Sequence, residues 1–181
     1  VYYLMNARGA TPEKRAEHLA RIEKQVGVAD GVVTALSNFA KLPQPNRVVF
    51  SLEAVLLDVL EDSRLGGKID VRVEIPPTAA HALGDPEQLR IVFGNLMRNA
   101  RDAMPDGGKL TVRSEPCPEG VHVSISDSGN GIPPELMQRI MEPFFTTKAR
   151  GIGLGLAISR AIVEKNHGSI VASSELGRGS T

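Results

Sequence analysis

Two asparagines and an aspartate recur along one face of a predicted helix, and their types and spacing suggest chemistry. The helix is expected from Pro86 to Met104, with Asn95, Asn99 and Asp102 inside it at steps of four and three residues. At about 100° per residue, the three side chains share a stripe about 60° wide. Asparagine favours caps and turns over helix interiors, so this pattern favours a functional role in a cleft. A solvated helix face would give the same pattern.

A second candidate lies at the end of a predicted strand, where Asp127 is followed by Gly129 and Gly131. Glycine has no Cβ, so the backbone beside this carboxylate can approach a ligand closely. Taken alone, the segment also fits an ordinary turn.

A third candidate is the glycine-rich segment Gly151–Gly155, which stands directly ahead of an amphipathic helical pattern. Glycines at the start of a helix leave backbone amides free to bind an anion. No Gly-Lys-Ser/Thr follows, which excludes a P-loop, and no strand leads directly into the segment, which makes it a poor dinucleotide fingerprint. The segment predicts a phosphate site of another type.

The elements that must position these residues begin with a long helix from Pro12 to about Lys41, capped by Thr11. Residues 1–8 are expected to be the tail of a partner helix. Apolar residues recur along the long helix at alternating steps of three and four, which is typical of a coiled coil or bundle. We therefore expect residues 1–44 to be part of a helical hairpin that dimerises into a four-helix bundle. The apolar seam comprises Leu19, Ile22, Val26, Ala29, Val33, Leu36 and Ala40.

A second domain is predicted from residue 47 to residue 181, because short strands alternate with helices after a proline-containing linker. Such a pattern predicts an α+β fold, in which helices cover one face of a sheet. The expected elements are a helix from Ser51 to about Arg64, strands at 69–75 and 79–83, the helix at 86–104, a hairpin of 109–114 and 120–126, a short helix from Pro133, a helix at 153–167 and a strand at 169–174.

Composition limits the partners that the chain can have. Basic and acidic residues balance at 21 each, so no net field attracts nucleic acid or an anionic membrane. No apolar run reaches the roughly 18 residues that span a bilayer, so we expect no membrane contact by this fragment. The single cysteine, Cys117, can form neither an intrachain disulfide nor a zinc cluster, and its proline neighbours predict a loop.

Four segments, taken in chain order, resemble the N, G1, F and G2 boxes of sensor histidine kinases. The resemblance implies the Bergerat-type ATP-binding α/β sandwich, which gyrase-type and chaperone ATPases share, here preceded by the hairpin of a dimeric four-helix bundle. The F box and the compact glycine spacing favour the kinases. The short lid between Phe145 and Gly151 is similar to that of the nitrogen-sensor subgroup. The four segments are Asn95–Ala100, Asp127–Gly131, Glu142–Lys148 and Gly151–Gly155.

The resemblance also implies how the boxes would bind ATP and Mg²⁺. Asn99 would hold Mg²⁺ through its amide oxygen, with Asn95 as a second catalytic residue nearby, and Asp127 would accept a hydrogen bond from the adenine amino group. Oxygen ligands suit Mg²⁺, and a carboxylate suits an exocyclic amine. Lys148 would neutralise phosphate charge from the lid. The other residues expected to contact ATP are Asp102, Gly129, Gly131, Ile132, Phe145, Thr146, Thr147, Gly151, Gly153, Leu154, Gly155 and Leu156.

The His-Glu-x-x-x-Pro box that carries the phosphoacceptor histidine in this family is not found in the sequence. His18 lies on the second hairpin helix without a proline at the required offset, and we expect it to be a surface residue. The acceptor is therefore expected upstream of Val1, and this fragment is expected not to phosphorylate itself. The parent kinase would pass the phosphoryl group to an aspartate of a response regulator. The fragment would then work in the cytoplasm, whether or not its parent is anchored in a membrane.

Two other functions stay open. An ATP-hydrolysing switch of the gyrase type needs a catalytic glutamate where this sequence has Asn95, which counts against it. A non-catalytic dimerisation scaffold would use the apolar seam and keep the nucleotide fold as a relic. The intact boxes count against this second alternative.

Overall fold

The computed structural model describes residues 11–40, 42–63, 65–148 and 151–181, without the side chains at 28–36 and 38–40. The chain divides into two compact units, Val1–Leu42 and Pro43–Thr181. The helix tail predicted at residues 1–8 lies outside the described residues. The boundaries at residues 44 and 47 stay a prediction.

The first unit is described as one helix, α1 (Pro12–Ala40). The predicted cap is confirmed, because the hydroxyl of Thr11 accepts a hydrogen bond from the Lys14 amide at 3.4 Å. Two seam residues, Leu19 and Val26, are 57% and 60% exposed in the single chain. No helix in the described part of the chain is both long and apolar enough to cross a membrane. Exposed apolar residues at this spacing fit a bundle, and the four-helix dimer stays a prediction.

The second unit is built on a five-stranded sheet with the strand order β2-β4-β5-β7-β6. Strand β2 runs parallel to β4, and the other neighbours pair antiparallel. A separate antiparallel pair joins β1 to β3. The strands are β1 (Val48–Ser51), β2 (Ile69–Glu74), β3 (His81–Gly84), β4 (Gly108–Cys117), β5 (Gly120–Asp127), β6 (Ser174–Glu175) and β7 (Gly179–Ser180).

Two helices with strong N-caps form most of the helical layer. Helix α2 (Leu52–Asp62) starts after Ser51, whose hydroxyl accepts from the Ala54 amide at 3.2 Å. Helix α3 (Pro86–Ala103) starts after Asp85, whose carboxylate accepts from the amides of residues 87 and 88. These caps satisfy amides that have no partner within the helix. The remaining helices are a 3₁₀ turn (Pro77–Ala79), α4 (Pro134–Met137) and α5 (Gly155–Lys165).

The core lies between these helices and the sheet, so the predicted α+β sandwich is confirmed. Apolar side chains from α2 and α3 meet the inner face of β4 and the facing residues of β5. The buried members are Leu52, Val55, Leu56, Val59, Phe93, Met97, Ala100, Met104, Leu110 and Val112.

The 3.6-residue period of helix α3 predicts one apolar stripe that faces the sheet, formed by Leu89, Val92, Leu96, Ala100 and Ala103. The observed stripe differs from it. Phe93 and Met97 fill the core, whereas Leu96, which the pattern places there, is only partly buried. Helix α3 packs against α5 as well as against α2 and β5. A helix with neighbours on two sides buries more than one stripe, which a single-face pattern does not predict.

Two local predictions are wrong. Cys117 is the last residue of β4 and pairs with Gly120, not a loop residue. Pro116 is tolerated there because β2 pairs with β4 only as far as Arg113, so no ladder bond to β2 is lost. The strand predicted at 169–174 shrinks to Ser174–Glu175. A strand needs a paired neighbour, and in the described chain pairing with residues 179–181 starts only at Ser173.

Candidate functional site

Helix α3 carries the central residues of the candidate site. Its residue Asn95 is partly buried and donates through Nδ2 to the Gly155 carbonyl oxygen at 3.1 Å and to the Ser159 hydroxyl at 3.3 Å. Its Oδ1 accepts from the guanidinium of Arg98. Asn95 therefore links α3 to the first turn of α5, which places the glycine-rich segment beside the asparagine stripe.

One turn further along α3, two oxygens converge on one cation. The Lys148 ammonium donates to Asn99 Oδ1 at 3.0 Å and to Asp102 Oδ2 at 2.8 Å. Arg101 donates to the other carboxylate oxygen of Asp102 at 3.1 Å. Burial opposes the charge on Asp102, but hydrogen bonds from Lys148 and Arg101 outweigh it and hold the pKa of this carboxyl below its ordinary value. Asp102 is thus a carboxylate whose two oxygens both accept.

The carboxylate of Asp127 stands at the end of β5, half-buried. Burial raises its pKa, and the backbone amides of Gly129 and Ser180 only partly offset this effect. The Gly129 amide donates to Asp127 Oδ1 at 2.8 Å, which fixes the orientation of the carboxyl group. A half-buried carboxylate of this kind can accept a hydrogen bond from a donor group of a ligand.

The loop after Asp127 packs so closely that its glycines are required. A Cβ on Gly129 would lie 2.5 Å from the Ala103 carbonyl oxygen at the end of α3. Gly131 has a φ of 68°, and a Cβ there would overlap the backbone of Glu175. The next amide, of Ile132, donates to the Ser174 hydroxyl at 2.7 Å. The loop is therefore held between α3 and β6.

The described part of the lid comprises residues 145–148 and Gly151. Phe145 is partly buried, with the Arg139 guanidinium 4.5 Å from its ring centroid. The hydroxyl of Thr146 accepts from the Lys148 amide at 3.1 Å, and the Gly151 amide donates to the Lys148 carbonyl at 3.0 Å. Thr147 is exposed. This turn aims the Lys148 side chain at α3.

The segment Gly151–Gly155 forms a turn into α5, which begins at Gly155 and not at Gly153 as predicted. Gly153 has a φ of 72° and packs against the Phe144 and Phe145 backbone, where a Cβ would come within 2.5 Å of an atom. Among the described side chains none caps the start of α5. Leu154 is buried and Leu156 partly buried, so both anchor the helix. The first amides of α5 are open to an anion.

Three segments that carry predicted site residues contact helix α3 at successive positions. The Gly151–Gly155 segment touches α3 at Asn95, the lid touches it at Asn99 and Asp102, and the Asp127 loop touches it at Ala103. From Asn95 to Ala103 the helix rises about 12 Å. The site therefore has a carboxylate at one end, the Lys148 ammonium in the middle and open helix amides at the other end.

Three polar residues belong to this neighbourhood although sequence reasoning missed them. Arg98 and Arg101 hold the oxygens of Asn95 and Asp102, and Ser159 accepts from Asn95. The signal was available for Arg98, which lies three residues after Asn95 on the same helix face. For Ser159 only the crossing of α3 and α5 supplies the contact.

Comparison with known proteins assigns the chain to a family. A family model described as histidine kinase-, DNA gyrase B-, and HSP90-like ATPase matches residues 84–181. The chain belongs to this family. The predicted Bergerat-type fold is thereby confirmed, and ATP is the ligand of the domain.

Relatives and solved structures narrow the family to histidine kinases. Sporulation kinase A of Bacillus subtilis (strain 168) is 37% identical over 77% of this chain and 24% of its own length. The sensor histidine kinase ZraS of Escherichia coli (strain K12) is 35% identical over 84% of this chain and 34% of its own length. The solved catalytic domain of histidine kinase ThkA is 33% identical with a TM-score of 0.66, covering 75% of this chain and 91% of that one. The domain is thus a histidine kinase catalytic ATP-binding domain, within a chain that spans about a quarter to a third of these two relatives.

Proposed function

We propose that the domain binds ATP as its Mg²⁺ complex and that the whole protein is a sensor histidine kinase. The γ-phosphoryl group would pass to a histidine of the helical hairpin and then to an aspartate of a response regulator receiver domain. The names of the relatives support the first transfer. A solved structure of ThkA in complex with the response regulator TrrA, 27% identical with a TM-score of 0.75 over 99% of this chain and 53% of that one, supports the second.

The observation that carries the Mg²⁺ proposal is the convergence of Asn99 Oδ1 and Asp102 Oδ2 on one cationic nitrogen. An amide oxygen and a carboxylate are hard donors of the kind that Mg²⁺ takes. Mg²⁺ usually needs only one or two protein ligands because it keeps waters and shares phosphate oxygens. The residues present therefore fit the ion, with Asn99 as its ligand. When bound, Mg²⁺ would neutralise charge on the phosphate oxygens.

The different groups at the two ends of the site suggest which end would bind the base and which would bind the phosphates. Asp127 would accept from the adenine amino group, with Gly129, Gly131 and Ile132 shaping the pocket around the base. The open amides at the start of α5 and the Lys148 ammonium would meet the phosphates. Phosphoryl transfer depends mostly on positioning and charge stabilisation, so these groups would suffice to prepare ATP.

Beyond the domain, the proposal includes a homodimer formed through the hairpin. The exposed Leu19 and Val26 support it, because they lie on the heptad seam of α1. The proposal also puts the fragment at work in the cytoplasm, in line with the response regulator that would be its partner. Asn95 remains a proposed catalytic residue, held ready by its bonds to Gly155 and Ser159.

Calorimetry with a non-hydrolysable ATP analogue tests the nucleotide site. The wild type should bind the analogue more tightly with Mg²⁺ than with EDTA. Asn99→Asp should abolish phosphotransfer, because the new carboxylate pairs with Lys148 and adds negative charge beside the phosphates. The matched control is Gln44→Glu, which makes the same amide-to-carboxylate change at an exposed position outside the site. A wild-type chain that binds no analogue would end the proposal.

Phosphotransfer in trans separates the kinase from its alternatives. The fragment is supplied with labelled ATP and a hairpin fragment that carries a phosphoacceptor histidine. A kinase core labels the hairpin and then a receiver domain. A gyrase-type switch would release phosphate without labelling the hairpin, and a scaffold would do neither.

A further inference from the structure

We infer that Arg98 contacts the terminal phosphate of the bound nucleotide and thereby distinguishes ATP from ADP. The inference rests on the proposed function, because it names the residue with which the same site recognises the third phosphate group. Arg98 lies on α3 between the two asparagines of the site, and its side chain is exposed. It is thus a specificity-determining residue that belongs neither to the asparagine stripe nor to the glycine-rich segment.

Hydrogen bonds at Asn95 place the Arg98 guanidinium at the phosphate end of the site. Asn95 Nδ2 donates to the Gly155 carbonyl oxygen at 3.1 Å and to the hydroxyl of the fully buried Ser159 at 3.3 Å. These two bonds fix the orientation of the amide, and its Oδ1 accepts from the Arg98 guanidinium. A Cβ on Gly155, the first residue of α5, would lie 4.0 Å from the same Oδ1. The guanidinium is therefore bonded to an oxygen that borders the open amides of α5.

The charge on Arg98 is not balanced by a carboxylate, unlike that of its neighbours. Lys148 and Arg101 both donate to Asp102, at 2.8 Å and 3.1 Å, and share its single negative charge. Within the described part of the chain, the Arg98 guanidinium bonds only to the neutral amide of Asn95. A guanidinium has five N–H groups, so most of its donors are left for an anion.

The chemistry of the two nucleotides selects the terminal phosphate as this anion. The planar fork of a guanidinium matches two oxygens of one phosphate group. Asn95 lies about 12 Å along α3 from Ala103, where the loop that carries the proposed base contacts packs. A group bonded to Asn95 is therefore far from the base, where the row of phosphates ends. ATP has a phosphate group there that ADP lacks.

Calorimetry with two nucleotides tests the contact. Dissociation constants are measured for a non-hydrolysable ATP analogue and for ADP, each with saturating Mg²⁺. Arg98→Met should weaken binding of the analogue about tenfold, because a hydrogen bond to a charged group is worth about that much in affinity. Binding of ADP should weaken by no more than about threefold, since only a screened long-range attraction is lost.

The matched control is Arg90→Met, which removes the same charge from the same helix. Arg90 pairs with Asp58 at 2.9 Å and lies outside the site. The control should leave both dissociation constants within about twofold of the wild type. Because Arg98 is exposed, its variants should melt as the wild type does, so the comparison is made on folded protein.

A second variant separates a direct contact from an effect through Asn95. Arg98→Gln removes the charge but keeps a side-chain N–H that can donate to Asn95. If Arg98 acts on the phosphate, Arg98→Gln should weaken binding of the analogue as Arg98→Met does. A glutamine variant that binds the analogue as tightly as the wild type would overturn the inference, because Arg98 would then act only by holding Asn95.

Two other results would also overturn it. In one, Arg98→Met weakens binding of the analogue and of ADP equally, so that Arg98 does not distinguish them. In the other, neither dissociation constant changes, and Arg98 is an ordinary exposed residue. The two proposals stay distinguishable: a wild type that binds neither nucleotide ends the proposed function, whereas a wild type that binds both, with the ratio of the two constants unchanged in the variants, ends this inference alone.

Discussion

The close packing of Gly129 against the end of α3 makes Gly129→Ala the sharpest test of the site geometry. The added Cβ would lie 2.5 Å from the Ala103 carbonyl oxygen, 2.7 Å from its Cβ and 2.8 Å from its carbonyl carbon. Two of these three atoms belong to backbone, which cannot rotate away as a side chain can. The loop itself must therefore move, although Gly129 and its neighbour Asn130 are held by hydrogen bonds to Asp127 and Ala103.

The expected loss in the free energy of unfolding of Gly129→Ala follows from overpacking, which typically costs about 1–3 kcal/mol. We expect the upper half of this range, because relaxation would also weaken the bond from the Asn130 amide to the Ala103 carbonyl, which is 3.1 Å long. Affinity for an ATP analogue should fall as well. The displaced Gly129 amide would no longer hold Asp127 Oδ1, and one hydrogen bond to a charged group is worth about tenfold in affinity.

Urea denaturation and calorimetry on the same protein measure both effects. Gly67→Ala is the matched control, because no described atom lies within 4 Å of its Cβ position. We expect the control to be neutral or more stable by up to about 1 kcal/mol, since alanine restricts the unfolded chain. A Gly129→Ala protein within about 0.5 kcal/mol of the wild type, with unchanged nucleotide affinity, would refute the close approach and its link to Asp127.

Two further variants test buried polar groups. Asp127→Asn keeps an acceptor for Gly129 and removes a charge that burial disfavours. Because the folded pKa is raised, the unfolded carboxyl ionises first as the pH rises through its ordinary value of 3.8, and stability falls. The variant should therefore have a higher melting temperature than the wild type at pH 7, converging below about pH 4, while calorimetry shows analogue binding weakened about 10–100-fold. Gln88→Leu should cost about 2–3 kcal/mol in urea denaturation, because the buried Gln88 amide bonds the Pro43 carbonyl at 3.1 Å and Asn166 at 3.0 Å. A loss below about 0.5 kcal/mol would show that water replaces these bonds.

The sequence predicted the helices and turns well where the interaction that starts or ends them joins residues close together in the chain. Ser51 and Asp85 are of residue types that cap helices, and a cap bonds amides only two or three residues ahead. Gly131 lies in a segment that fits a turn in the sequence, and it has a positive φ. The apolar period located α3, although its two-sided packing shifted the core residues to Phe93 and Met97.

The four boxes also predicted a family and therefore a fold, because their order and spacing occur together in one kind of ATPase. No local rule, however, says which atoms meet across 46 residues of chain. Two contacts form only when α3, the lid and the loop after β5 pack together. One joins Lys148 to Asp102, and the other is the close approach of Gly129 to Ala103.

The types of the site residues and the elements that carry them were thus determined by the sequence alone: the asparagine stripe on a helix, the carboxylate at a strand end, and the glycines before a second helix. Tertiary structure alone decided where Cys117 and residues 169–173 belong, since a strand exists only through its neighbour. It also decided the direction in which the pKa of Asp102 and of Asp127 departs from its ordinary value, because burial and hydrogen-bond partners in the folded chain set it.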